Sequence, residues 1–228
     1  MSTFTSDKQS LSEILKTVEA AKLQLPDFQR GWVWDDERIK SVLASVSREF
    51  PIGAVMMLET GGEARFQSKP IEGVEREGVE PDRLLLDGQQ RLTSLFQALR
   101  LKKAIKTLDS RNRPIERLYY IDIEKALDPN VEREDAIIGV GPDGRLQAPF
   151  GREYRYDFST REKEYEAGVF PLNHVFDAQQ WMMGWWNYWQ QDPAKMDLFM
   201  QFQNQIISAF QGYDLPLILL KKETPKEA

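Results

Sequence analysis

The sequence predicts an α+β fold, a mixed-sheet core with flanking helices followed by a helical C-terminal extension. Three observations predict it. Short, continuous apolar runs such as Arg83-Leu84-Leu85-Leu86 have the length of strands buried on both faces. Between them lie segments whose apolar residues recur every three or four positions, the period of a helix packed on one face. From about Asp177 the composition shifts to aromatic- and methionine-rich helical patterns, and a strand-like run returns only at Leu215–Leu220. The expected division is 1–176 for the mixed core and 177–228 for the extension, whose final strand returns to the core.

The elements follow in order. Ser10 with Glu13 has the form of a capping box, and Leu11, Ile14, Leu15 and Val18 then keep helical spacing. A first helix is expected over about 10–21. Leu23–Pro26 is extended and leads into Phe28-Gln29-Arg30-Gly31-Trp32-Val33-Trp34. Asp35 caps a second helix with an acidic first turn and an apolar stripe of Ile39, Val42, Leu43 and Val46. Pro51-Ile52-Gly53 opens a strand from Ala54 to Leu58, and the polar, glycine-containing stretch Thr60–Asp82 reads as a hairpin or loop. Arg83–Leu86 is a buried strand, Asp87-Gly88 breaks it, and a helix starts at Gln89 with Leu92, Leu95, Phe96 and Leu99 inward. Strands are expected at Leu118–Ile123 and Ala136–Val140. Trp181–Trp189 and Met196–Phe210 are helical.

Bulk properties exclude several functions. The chain has 228 residues, 41% hydrophobic and 29% charged, the balance of a globular protein. No apolar run nears the roughly 18 residues that span a bilayer, and the polar N-terminus lacks a signal-peptide core, so a cytoplasmic address is expected. Cysteine is absent, which removes thiolate nucleophiles and cysteine zinc sites. His174 is the sole histidine, so an HNH-type nuclease centre cannot be assembled. No phosphate-binding G-x-x-x-x-G-K-[ST] loop occurs. The net charge of -6 argues against a general basic coat but allows a local basic face. The charged tail directly after the last strand reads as a planned boundary, with the rest of a longer protein beyond it.

The central candidate for chemistry is Asp87-Gly88-Gln89-Gln90-Arg91. Gly88 permits a sharp turn, and the amides of the first helical turn form an anion site. Arg91 can fork onto phosphate oxygens, and Asp87 can hold Mg2+ through oxygen or water ligands. Gln89 and Gln90 offer amides to a base edge or a water. The plain alternative is that Asp87 caps the helix and the rest is its solvated first turn. Phe28–Trp34 interleaves arginine with aromatics, a pattern able to stack a base and contact a phosphate; alternatively, Trp32 and Trp34 staple the next helix. Lys102, Lys103 and Lys106, in the basic stretch Arg100–Arg117, are the candidates for a DNA backbone contact, against a solvated helix end and loop. The tryptophan-rich helix is read as core, or else as a docking face. His174 is read as structural.

Three blocks carry a resemblance: F-Q-R-G-W-V-W, then P-I-G-A-V-M-M-L after an intervening helix, then L-L-L-D-G-Q-Q-R-L-T-S-L. In order and spacing the chain resembles the N-terminal domain of GmrSD-type modification-dependent restriction proteins, most closely over residues 10–100. The resemblance implies a ParB/sulfiredoxin-like core with a nucleotide site at a helix N-terminus. It implies hydrolysis of nucleoside triphosphate through the DGQQR motif, here Asp87, Gln89, Gln90 and Arg91, with Mg2+ on Asp87. Gln29, Arg30, Gly88 and Arg91 would then bind nucleotide, while Phe28, Gln29, Arg30 and Trp32 form a pocket that senses modified DNA. Related sequences often have a hydroxyl-bearing aromatic at the place of Phe28. Sulfiredoxin chemistry is excluded for want of its cysteine. A C-terminal nuclease domain is the implied partner in the whole protein. The leading expectation is a nucleotide-hydrolysing regulatory domain of an anti-phage restriction system. The alternative is a non-catalytic module that recognises modified DNA, for example phosphorothioate DNA.

Overall fold

The computed structural model describes residues 4–62, 66–76, 78–148 and 153–224. In chain order the strands are Phe4–Ser10 (β1), Leu23–Pro26 (β2), Val55–Glu59 (β3), Ser68–Lys69 (β4), Arg83–Asp87 (β5) and Ile105–Leu108 (β6). They continue as Pro114–Asp122 (β7), Ile137–Val140 (β8), Arg145–Gln147 (β9), Tyr154–Asp157 (β10), Val169–Pro171 (β11) and Asp214–Leu220 (β12). The helices are Leu11–Glu19 (α1), Asp36–Ser47 (α2), Gln89–Arg100 (α3), Ile123–Leu127 (α4) and Arg133–Ala136 (α5). Arg161–Ala167 (α6), Gln179–Tyr188 (α7), Pro193–Phe202 (α8) and Ser208–Gln211 (α9) complete them. The architecture is α+β with mixed sheets.

The chain forms two compact units, each discontinuous in sequence. One takes residues from 1–33, 51–97 and 212–228, the other from 34–50 and 98–211. Residues 177–211 therefore share a unit with 98–176, and β12 belongs to the sheet of the first unit.

The first unit is built on a six-stranded sheet in the order β1-β12-β3-β5-β2-β4. It is mixed: β12 runs parallel to β3 and β2 parallel to β5, while the other neighbours are antiparallel. The inner residues Leu84 and Leu85 of β5 are buried, as a continuous apolar run requires. Leu11, Ile14, Leu15 and Val18 of α1 are buried on one stripe. Their helix is shorter than expected, and the capping box does not form. Ser10 makes no side-chain cap bond because it ends β1, paired with Asp214. The polar N-terminal stretch is thus an exposed edge strand held by ladder bonds from the far end of the chain.

In the second unit β7 is the central strand, flanked antiparallel by β6, β8 and β11. This corrects the reading of Arg100–Arg117 as a helix end and loop. Residues 105–108 and 114–117 pair as a hairpin around a turn that Asp109 stabilises, its carboxylate accepting from the amides of Arg111 and Arg113. Helix α2 starts as expected, with Asp35 accepting from the Arg38 amide at 2.9 Å. The aromatic segment packs by one stripe: Trp181 and Trp185 are buried and stack on each other, and Trp181 also stacks on Phe199. Met183 and Tyr188 on the same helix are exposed. The expected helix over Met196–Phe210 is interrupted by a π-helical turn at Gln203–Ile207.

Candidate functional site

The blocks that stood out in the sequence meet within the first unit, and hydrogen bonds to backbone tie them together. Strand β5 ends at Asp87, and Gly88 turns the chain into α3 with φ at +90°. A side chain there would be strained, and a Cβ would lie 2.7 Å from Val55 Cγ1. Gly53 is the second special position, at φ +86°, where a Cβ would overlap the guanidinium of Arg91.

Arg91 explains that closeness. Its Nη1 donates to the carbonyl of Ile52, and its Nη2 to that of Ala54 at 3.0 Å. The fork is filled by the backbone of the Pro51–Ala54 turn, so both terminal nitrogens already have acceptors. Asp87 approaches the same guanidinium at 3.7 Å, but its side chain is 73% exposed. That separation leaves the carboxylate largely open to water.

The glutamines are committed in the same way. Gln89 is buried and donates to the Arg30 carbonyl at 2.7 Å. Gln90 donates to the Gly31 carbonyl at 3.2 Å and accepts from the Val33 amide at 2.9 Å. In return, Gln29 donates to the Leu86 carbonyl at 2.7 Å, just before the DGQQR step. Trp32 is fastened by its indole N–H to Ser94 Oγ at 3.0 Å and by its amide to Glu72 Oε1 at 2.9 Å.

What remains open to solvent is a small set. Phe28 is 65% exposed and meets Phe66 edge-on at 5.5 Å. Arg30 is exposed and has no ion-pair or side-chain hydrogen-bond partner among the described residues. With Asp87 they place an aromatic face, a cation and a carboxylate on one unit. Lys102, Lys103 and Lys106 belong to the other unit. Lys102 donates to the Asn173 carbonyl at 2.6 Å and pairs with Asp177, while Lys106 is exposed on β6.

Two residues that sequence reasoning passed over help to hold the loop. Lys69 of β4 donates to the carbonyls of Gln29, at 2.6 Å, and Asp27, at 3.3 Å, on either side of Phe28. Glu72 receives Trp32 with one oxygen, and its other oxygen is buried without a hydrogen-bond partner among the described residues. Both sit in the polar Thr60–Asp82 stretch, where nothing in the residue pattern marks them. Among the described residues no group of three His, Cys, Asp or Glu side chains gathers as a metal cluster. No helix of the described residues is long and apolar enough to cross a membrane.

The comparisons with known proteins agree with the motifs. An uncharacterized protein of Methanocaldococcus jannaschii is 27% identical over 192 residues, which are 81% of this chain and 32% of that protein. The chain spans about a third of the length of this curated relative. The model of the family described as GmrSD restriction endonuclease, N-terminal domain, matches residues 11–227. With nearly its whole length matched, the chain belongs to the GmrSD restriction endonuclease N-terminal domain family.

Proposed function

We propose that this chain is a nucleotide-handling regulatory domain of a modification-dependent restriction system, with nucleoside triphosphate held between Phe28–Trp32 and Asp87–Arg91. One observation carries the reading. The DGQQR glutamines and Arg91 are spent on backbone carbonyls, which makes a stiff frame and leaves Phe28, Arg30 and Asp87 exposed to a ligand. A preorganised frame of this kind is what positioning and charge stabilisation require.

Within this proposal each residue has a task. Phe28 stacks the base, and Arg30, with the amides of the first turn of α3, takes phosphate oxygens. The open carboxylate of Asp87 suits Mg2+, which typically uses one or two carboxylates plus waters and substrate phosphates. Mg2+ would supply charge neutralisation on the phosphates. Arg91, Gln29, Gln89 and Gln90 act as positioning residues for the two loops. The ParB-like character of the core belongs to the same proposal, as does control of a nuclease elsewhere in the whole protein.

A second reading uses the same open residues for modified DNA without hydrolysis, favoured by the exposure of both Phe28 and Arg30. Phosphate release from ATP, GTP, CTP and UTP with Mg2+ tests the first reading. Turnover that disappears in Asp87→Ala supports it. Neither turnover nor calorimetric binding in the native chain overturns it. Salt-dependent DNA binding without nucleotide, lost in Arg30→Ala, then supports the second.

A further inference from the structure

Strands β9 and β10 pair antiparallel as a two-stranded ribbon in the second unit, separate from the sheet around β7. The register sets Arg145 opposite Asp157, Leu146 opposite Tyr156 and Gln147 opposite Tyr154. Paired residues share a face, so Leu146 and Tyr156 lie on one side and Arg145, Gln147, Tyr154 and Asp157 on the other. Leu146 and Tyr156 pack on the core cluster of Tyr120, Ile138, Val140, Phe158 and Val169. That side anchors the ribbon. The other faces outward, with Gln147 exposed and Tyr154 48% exposed. A bulge leaves Arg155 as the extra residue between Tyr154 and Tyr156, and it is exposed as well.

Both arginines of the ribbon are held by aromatic rings. The guanidinium carbon of Arg145 lies 5.2 Å from the centre of the Tyr154 ring, and that of Arg155 lies 5.3 Å from the centre of Tyr156. A ring takes the flat face of a guanidinium and leaves the N–H donors at its edge unspent. Asp157 stands 3.4 Å from Arg145 Nε with no hydrogen bond between them. Its carboxylate is engaged elsewhere: Oδ2 accepts from Lys163 at 2.6 Å and Oδ1 from the Ser159 hydroxyl at 2.6 Å. Lys163 thus offsets Asp157, and the charge of Arg145 stays largely uncompensated. Arg91 is the opposite case, with its donors filled by the carbonyls of Ile52 and Ala54.

A partner that fits this face brings charged oxygens for two separate arginine forks and a flat surface for the exposed tyrosine. A nucleic-acid strand brings both at once, whereas an acidic peptide brings only the oxygens. The family is described as a restriction endonuclease, an enzyme of DNA. We infer that the β9–β10 ribbon is a DNA contact surface. Arg145 and Arg155 take backbone phosphates, and Tyr154 and the Gln147 amide face sugar and base. Duplex and unpaired DNA share this chemistry: a two-stranded ribbon enters a major groove, and an aromatic beside arginine stacks an unpaired base. The inference shares with the second reading above only the premise that the chain meets DNA; no residue is common to the two.

Fluorescence anisotropy of labelled DNA of mixed sequence, duplex and single-stranded, with the intact chain across a salt series tests this. Arg145→Gln and Arg155→Gln should each weaken binding at least about fivefold and lower the slope of log affinity against log salt by roughly one. Tyr154→Ala should weaken binding by a similar factor, and Tyr154→Phe should retain it. Glu153→Gln removes the exposed acid beside Tyr154 and should tighten binding. Unlabelled DNA should displace the probe far better than poly-glutamate does. The form bound more tightly, duplex or single strand, identifies the ligand of the ribbon. Absence of salt-dependent binding, equal displacement by poly-glutamate, or unchanged affinity in both arginine variants each overturns the inference. In the last case, loss of binding in Arg30→Ala assigns DNA to the first unit instead. Binding that survives Arg30→Ala and fails in the ribbon variants supports the inference and removes the second reading. Far-ultraviolet dichroism of each variant checks that the fold is kept.

Discussion

The side-chain amide of Gln89 donates to the main-chain carbonyl of Arg30 at 2.7 Å across 59 residues of sequence. This bond joins the Asp87–Arg91 block of the sequence to the Phe28–Trp34 block. It also fixes the main chain of Arg30, whose side chain is exposed.

Gln89→Ala removes that buried bond, and about 1–2 kcal/mol of stability should go with it. Gln89→Glu should cost more, because a carboxylate at a position only 5% exposed faces a carbonyl to which it cannot donate. Urea unfolding of both variants measures the order, and Glu being the milder change would contradict this geometry.

Gly53→Ala combines a positive φ with overlap onto Arg91. A loss of about 2–3 kcal/mol is expected. The overlap component has a signature of its own: in an Arg91→Ala background the Gly53→Ala change should cost less, because the clashing guanidinium is gone. Additive costs in that double-mutant cycle would rule out the contact as the cause.

Lys69→Met deletes the two bonds that hold the carbonyls flanking Phe28. Global stability should drop by no more than about 1 kcal/mol, since the amine sits at a half-exposed surface position. Ligand affinity at Phe28 and Arg30 should fall further than stability does, by about tenfold, as the loop loses its preset shape. Parallel calorimetry and thermal melts separate the two effects.

His174 makes stability depend on pH in a defined window. Its folded pKa is depressed from 6.5 to about 4, so between these values the unfolded chain takes up a proton that the folded chain refuses. Stability should therefore fall as pH drops from 6.5 toward 4, and the histidine should add no slope above that window. Asp109, held down to about 2 by bonds from Arg113, acts lower: its contribution is present above 3.8 and is lost as pH falls toward 2. His174→Gln should flatten the upper window and leave the lower one unchanged in melts across pH.

Glu164 is buried and accepts from the Trp181 indole at 2.8 Å and from Arg161 at 2.6 Å. Burial nonetheless raises its pKa, against the pull of these donors. Trp181→Phe keeps the aromatic packing but deletes one donor, and should cost about 1–2 kcal/mol. Glu164→Ala leaves the Trp181 indole and the Tyr120 hydroxyl without their buried acceptor and should cost about 2–3 kcal/mol. Denaturant unfolding with near-ultraviolet dichroism reports both.

The sequence by itself determined the local elements. Asp35 has the right chemistry one residue before an acidic first turn, so α2 starts where a side-chain acceptor meets free amides. The apolar run before Asp87-Gly88 specifies β5, and the glycine specifies the turn into α3, because few other residues tolerate its backbone. The one-sided burial of α1 follows from its spacing, and the three motif blocks were enough to place the chain in its family. Tertiary structure decided the rest. Strand β1 is polar and exposed, and it is a strand only because β12 supplies its hydrogen bonds. Thr107 is buried in β6 through pairing with β7, although its neighbours read as a basic loop. The acceptors for Gln29, Gln89, Gln90, Lys69 and Arg91 are main-chain carbonyls. Every residue carries the same carbonyl, so no pattern of side chains can announce which one a distant amide or guanidinium will find; only the folded path of the backbone sets that choice.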